Sequence, residues 1–112
     1  MGKDKTELLQ GTLDLLVLKT VETMGPLHGW AIAKRIEQVA QDLLELKYGT
    51  LYPALMRLEQ NGWISSEWGT SENNRRARFY SITKQGRKQL TREAENWEQM
   101  AAFITRVLGS SR

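Results

Sequence analysis

The chain has 112 residues, 40% of them apolar and 26% charged, which is enough for one domain with a real core and too little for two. It has no cysteine, which removes disulfides, thiolate metal sites and cysteine nucleophiles together. Sixteen basic against 13 acidic residues leave a net charge of +3, compatible with a nucleic-acid partner without requiring one.

The start, MGKDKTE, lacks the apolar core of a signal peptide, and the longest apolar runs, such as Leu15 to Leu18, cannot span a bilayer. The expectation is a cytoplasmic chain with no membrane association. From Thr12 to Met24 the residues Leu13, Leu16, Val17, Thr20, Val21 and Met24 recur at helical spacing, and Gly25-Pro26 ends that helix. A second helix is expected from about His28 to Ala40, with Ile32, Ile36 and Val39 facing inward. Leu44 to Leu46 reads as an extended link. A third helix follows, starting near Tyr48 to Thr50, with Leu51, Leu55 and Leu58 on one stripe.

After Gly62 the period falls from 3.6 to about 2, and the runs Trp63 to Trp68 and Ala77 to Ile82 have strand composition. The glycine-, serine- and asparagine-rich segment between them is expected to be a hairpin loop tipped by Arg75, Arg76 and Arg78. Thr83 caps a last helix reaching to Leu108, and residues 109–112 are expected to fray.

The predicted fold is therefore mostly α with a small β-hairpin: a winged helix-turn-helix over residues 1–82 and a long C-terminal dimerisation helix over 83–108, packed with the first helix. In that architecture the third helix enters the DNA major groove and the hairpin lies on the flanking backbone. The apolar stripe of the third helix would dock it, leaving Lys47, Tyr48, Gly49, Thr50, Tyr52, Pro53, Met56 and Arg57 toward the groove. Gly49 allows close approach to a phosphate, Thr50 can meet a base or a thymine methyl, and the Tyr52 hydroxyl can reach a phosphate. The alternatives are that Thr50 only caps the helix and that Tyr52 only packs. A helix starting near Thr50 would hold Pro53 in its first turn at no cost; an earlier start would sacrifice one bond.

Four ordered blocks carry a resemblance: LLQGTLDLLVLKT from Leu8, GPLHGWAIAKRI from Gly25, GTLYPALMRLEQNGWI from Gly49 and RRARFYSITKQGR from Arg75. Together, over roughly Leu8 to Leu108, the chain resembles the PadR-like family of bacterial transcriptional regulators, in its compact branch. Trp30 and Trp63 depart mildly from the family, standing where it often has tyrosine or a smaller apolar residue. The resemblance implies a winged helix-turn-helix homodimer that binds double-stranded operator DNA, usually as a repressor, and that pairs through both terminal helices.

The wing arginines are expected on phosphates, with Arg78 the one a strand turn could direct back onto the domain. Lys34 and Arg35 on the second helix either contact backbone or form a solvated face. In the last helix Leu90, Ala94, Trp97, Ala101, Ile104 and Leu108 form a heptad seam, with Met100, Phe103 and Val107 beside it. Such a helix of about 26 residues would reach ~39 Å, longer than a small winged domain covers. A second copy is the economical cover, with Leu13 and Leu16 of the first helix contributing. Trp97 either packs that interface or also stacks a small hydrophobic effector, as drug-responsive members of the family suggest.

His28, the single histidine, reads as structural or capping; without cysteine or an acidic cluster it makes no metal site. Trp30, Trp63 and Trp68 are expected to pack the core and the hairpin. No phosphate loop, supported nucleophile or paired carboxylate is present, so neither catalysis nor a cofactor is expected. The leading functional reading is a homodimeric, sequence-specific regulator of transcription, most simply a repressor of its own or adjacent genes. The competing reading is a winged-helix protein-interaction module that does not read DNA.

Overall fold

A computed structural model of the chain describes residues 10–41 and 43–109. The order is α1 (Gln10–Met24), β1 (Leu27–His28), α2 (Gly29–Ala40), α3 (Tyr48–Gln60), β2 (Ile64–Thr70), β3 (Arg76–Ile82) and α4 (Lys84–Gly109). The winged helix-turn-helix expected from the sequence is the fold observed. The hairpin belongs to a three-stranded antiparallel sheet ordered β1-β3-β2, because Leu27 and His28 pair with Tyr80 and Phe79. Two residues are too few to show alternation, so β1 is not legible from its residues alone.

One core joins the three short helices to the base of the sheet. Val17, Leu18 and Val21 of α1, Ile32 and Ile36 of α2, Leu51, Leu55 and Leu58 of α3, and Ile64 and Tyr80 of the sheet are all buried in it. The α3 stripe thus docks as expected. Val39, expected inward, is exposed, and Met24 is largely so. Glu37 of α2 accepts from the Leu46 N–H at 2.7 Å, which ties the extended link to the helix before it and sets where α3 begins.

Lys47 is the N-cap of α3, with no side-chain cap bond, so Thr50 is not a capping residue. The start at Tyr48 puts Pro53 beyond the first turn, and the bond that residue 53 would donate to the Gly49 carbonyl is lost. The helix ends at Asn61, and Gly62, at φ +79°, reverses the chain so that the Trp63 N–H reaches the Leu58 carbonyl at 3.0 Å. A side chain at that φ would be strained, and the turn aims the wing.

Thr83 caps α4 as expected: its hydroxyl donates to the Gly62 carbonyl at 2.6 Å and accepts from the Gly86 N–H at 2.9 Å. Gly109, expected in the frayed tail, continues the helix, while residues 110–112 lie outside the described residues. Among the described residues no helix is long and apolar enough to cross a membrane.

Candidate nucleic-acid interface

The start of α3, its first turn and the two residues after it, presents Tyr48, Gly49, Thr50, Tyr52 and Pro53 on the surface, with Lys47 just before it. The rings of Tyr48 and Tyr52 lie 5.2 Å apart, so the two phenols form one aromatic ridge along that turn. Burial raises the Tyr48 phenol above its ordinary value, with the neighbouring Tyr52 adding to the shift, and it stays a donor at neutral pH. The Tyr52 hydroxyl sits against the α2 backbone, where a Cβ on Gly29 would be only 2.8 Å from it. That glycine leaves room for the tyrosine.

The wing stands beside this turn. Register pairs Trp68 with Arg78 and Thr70 with Arg76, which puts the tryptophan and both arginines on one face of the hairpin. The Arg76 guanidinium lies 4.8 Å and that of Arg78 5.2 Å from the Trp68 ring centre. Arg78 also donates through Nε to the Ser66 hydroxyl at 3.0 Å; Ser66 in turn donates to Glu59 at the end of α3 at 2.8 Å. Arg78 is therefore turned back onto the domain, as its strand position allowed. It braces the wing against α3.

Between wing and helices lies a cleft of about 340 Å³, walled by Trp30, Tyr52, Trp68, Arg76 and Arg78, with His28 at its floor. His28 accepts the Ala31 N–H through Nδ1 at 3.3 Å as the cap of α2 and meets the Phe79 ring edge-on at 5.3 Å. Trp30 and Trp68, expected to be packed inside, are each 56% exposed, whereas Trp63 is partly buried against the core. The expectation failed because Trp68 stands two pairs beyond the last buried position of its face, where the core has ended. Only the hairpin register reveals that.

Four other candidates lie apart from this cleft or are otherwise engaged. Arg57 of α3 is held by Asp14 of α1. Lys34 pairs with Glu37 at 3.6 Å and lies over the Trp30 ring at 5.6 Å. Arg35 lines a different, mostly apolar cleft of about 350 Å³ between α1 and α2, together with Leu16 and Val39. Arg75 sits exposed at the hairpin tip, where its N–H meets the Ser71 hydroxyl at 3.3 Å and its carbonyl accepts the Ser71 N–H at 2.8 Å.

The long helix divides into two parts. Leu90 is 8% exposed and Leu13 4%, both inside the subunit's own core, so the premise that the seam has no partner in its own domain fails at its N-terminal end. Beyond it, Trp97 is 54% exposed, and Met100, Phe103, Ile104 and Leu108 are exposed as well. Ala94 and Ala101 are half-buried along the same helix. Trp97 borders a shallow hollow of about 240 Å³ against Gly11, Thr12 and Leu15 of α1. Among the described residues no group of histidine, cysteine and carboxylate side chains could hold a metal.

Comparison with known proteins agrees with this fold. Residues 17–92 match the model of the transcriptional regulator PadR-like family. The fold is similar to that of a transcriptional regulator from Clostridium thermocellum, 34% identical, over 87% of this chain and 93% of that one, with a TM-score of 0.77. A PadR family transcription regulator from Clostridium difficile is 28% identical, over 86% and 97% of the two chains, with a TM-score of 0.72. An uncharacterised 37.1 kDa protein in a transposon of Streptomyces fradiae is 39% identical over 80 residues, 71% of this chain but only 21% of that protein. The family match runs from the middle of α1 through the helix-turn-helix and the wing into α4, over the whole cleft just described, and the chain belongs to the PadR-like family of transcriptional regulators.

Proposed function

We propose that the protein is a cytoplasmic, homodimeric repressor that reads double-stranded operator DNA with the first turn of α3 and grips the flanking backbone with its wing. The observation that carries this reading is the exposed turn from Tyr48 to Pro53 standing beside a hairpin that bears Arg75, Arg76 and Arg78. Lys47, Gly49, Thr50 and Tyr52 are the contacts we assign to the groove and its edge. Arg57, already paired with Asp14, and Arg35, in the α1–α2 cleft, are left out of that set.

The dimer is supported by the apolar strip on the C-terminal half of α4, centred on Trp97, Ala101, Ile104 and Leu108, which would be an aggregation liability in water. Two reading heads on half-sites one turn apart must hold their helices ~34 Å apart, so small rotations at that interface would release DNA. A planar hydrophobic effector stacked on Trp97 between subunits is the release we favour. Repression would follow from occlusion of a promoter, without catalysis.

The test is salt-dependent binding of the Arg75→Ala, Arg76→Ala double variant. Phosphate contacts fix position without reading sequence, so affinity should fall about equally on operator and random DNA, with the log-salt slope reduced by ~1 per lost contact. An unchanged affinity and slope would remove the wing from the interface. A parent protein that retains no duplex, including its own upstream region, would leave a winged-helix module that binds protein instead.

A further inference from the structure

Trp68 is a large aromatic residue left in solvent on the face of the wing that looks into the cleft, and the guanidiniums of its cross-strand partner Arg78 and of Arg76, two positions nearer the tip, both lie over its ring. Nothing in the core needs it there: on the same face Ile64 and Tyr80 are already buried, and Trp68 lies beyond them toward the hairpin tip. Trp30, Tyr52 and Trp68 are all exposed around this one cleft, and a cluster of exposed aromatic rings, unlike a single one, marks an interaction surface.

We propose that the cleft between wing and α3 seats a backbone phosphodiester of duplex DNA, and that Trp68 is the positioning residue that holds Arg76 and Arg78 over it. The inference rests on the DNA-binding reading above. Arginine carries long-chain rotamer entropy that must be lost when it grips a phosphate. Stacked on the indole, which is the best of the aromatic faces for a cation, both guanidiniums are ordered before DNA arrives. Arg78 is ordered further by its Nε bond to Ser66, with a guanidinium nitrogen 3.9 Å from Glu59. Among the described residues the Arg76 side chain has only Trp68, so it gains the most from the stack. Among the described residues the cleft walls carry two arginines and no carboxylate, and Tyr52, which lines the same cleft, adds a hydroxyl from α3 itself. One phosphate there would be gripped by wing and recognition helix at once, which fixes the distance between them along the duplex.

A mutant cycle on binding to a mixed-sequence duplex tests this, with thermal melting as a control for folding. Trp68→Ala should bind roughly fivefold more weakly and with a shallower salt slope, although every arginine is still present. In the Arg76→Ala, Arg78→Ala background the same change should cost nothing further, because Trp68 acts through those two side chains. Trp68→Phe, which keeps a ring, should retain most of the affinity, and Trp68→Leu, which keeps only apolar bulk, should lose as much as alanine. Equal binding by the phenylalanine and leucine variants overturns the proposal, as does a Trp68→Ala penalty that persists without the arginines. A parent protein that binds no duplex defeats the DNA-binding reading itself, a result separate from either of these.

Discussion

The guanidinium of Arg57 on α3 donates to the carboxylate of Asp14 on α1, joining two helices across 43 positions of sequence. Asp14 is 8% exposed and is the buried acid among the described residues, while the Arg57 Nε is itself buried without a partner. The pair fixes α3 against α1 behind the reading turn.

Removing one partner should therefore cost more than removing both. Asp14→Ala leaves a partly buried cation uncompensated, which should lower stability by roughly 2 kcal/mol, less than for a fully buried pair because part of Arg57 stays wet. Adding Arg57→Met should restore most of that loss, since an apolar chain of similar length refills the site. Denaturant melts of the two variants decide it, and equal stability of the single and double variants would mean that the pair is idle.

Gly29 and Tyr52 offer a second coupling. A methyl at position 29 would meet the Tyr52 hydroxyl at 2.8 Å, and the flexible end of the tyrosine can swing away. Gly29→Ala should cost stability by no more than ~1 kcal/mol, the low end of overpacking. It should nonetheless weaken operator binding several-fold, by moving a hydroxyl from the edge of the reading turn. Intact binding with an intact fold would show that Tyr52 does not need its present position.

Much of this was legible in the sequence, and the gaps have physical causes. The stripe Leu51, Leu55, Leu58 and the cap Thr83 are local patterns, and both are realised. Which of the cations are free is a tertiary matter. Arg57 sits in an exposed-looking sequence context, and only the approach of α1 reveals that Asp14 holds it. Trp68 resembled a packing residue because composition does not say where along a strand the core ends; that depends on hairpin register. Leu90 followed the seam pattern and Leu13 was expected to join the same interface, but both are buried within one subunit.

Thr50 makes no cap bond and is exposed, so its hydroxyl is available. Thr50→Ala should lower operator affinity by ~1–3 kcal/mol while leaving binding to random DNA nearly unchanged, the mark of a base-reading contact. Equal losses on both duplexes would reassign it to the backbone.

Tyr80 gives the fold a pH limit. Burial first, and then the nearby Tyr52 and Glu59, raise its phenol above the ordinary 10.0, against a smaller opposing pull from Arg78. A raised folded value means that the protonated form is the stable one inside. Its contribution is whole below about pH 10 and is lost as pH rises through the folded value. Tyr80→Phe should match the parent in thermal melts at neutral pH and should melt above it on the alkaline limb. Parallel alkaline limbs for the two proteins would show that another group sets the limit.

The last prediction concerns the free half of α4. Ile104 is 46% exposed in one subunit, on a strip with Trp97, Ala101 and Leu108 that continues past the end of the α1 contact. If a second copy covers it, Ile104→Glu places an unpaired carboxylate in an apolar interface, at a cost of several kcal/mol. Sedimentation should then show the parent as a dimer at micromolar concentration and the variant as a monomer. Because Ile104 is exposed in the subunit and stands outside the core cluster of the described residues, the variant should keep its helical content, which separates lost pairing from lost folding. Operator binding should fall with the dimer while contact by a single reading head on random DNA persists weakly, since two half-sites are read together. Trp97 reports on the same surface: a planar hydrophobic compound stacking there should quench fluorescence and release operator DNA, and Trp97→Ala should lose both responses. Three other tryptophans also emit, so the quench is read as the difference from that variant. A well-folded parent monomer that holds operator as tightly as a two-headed reader should would defeat the dimer and, with it, the effector site between subunits.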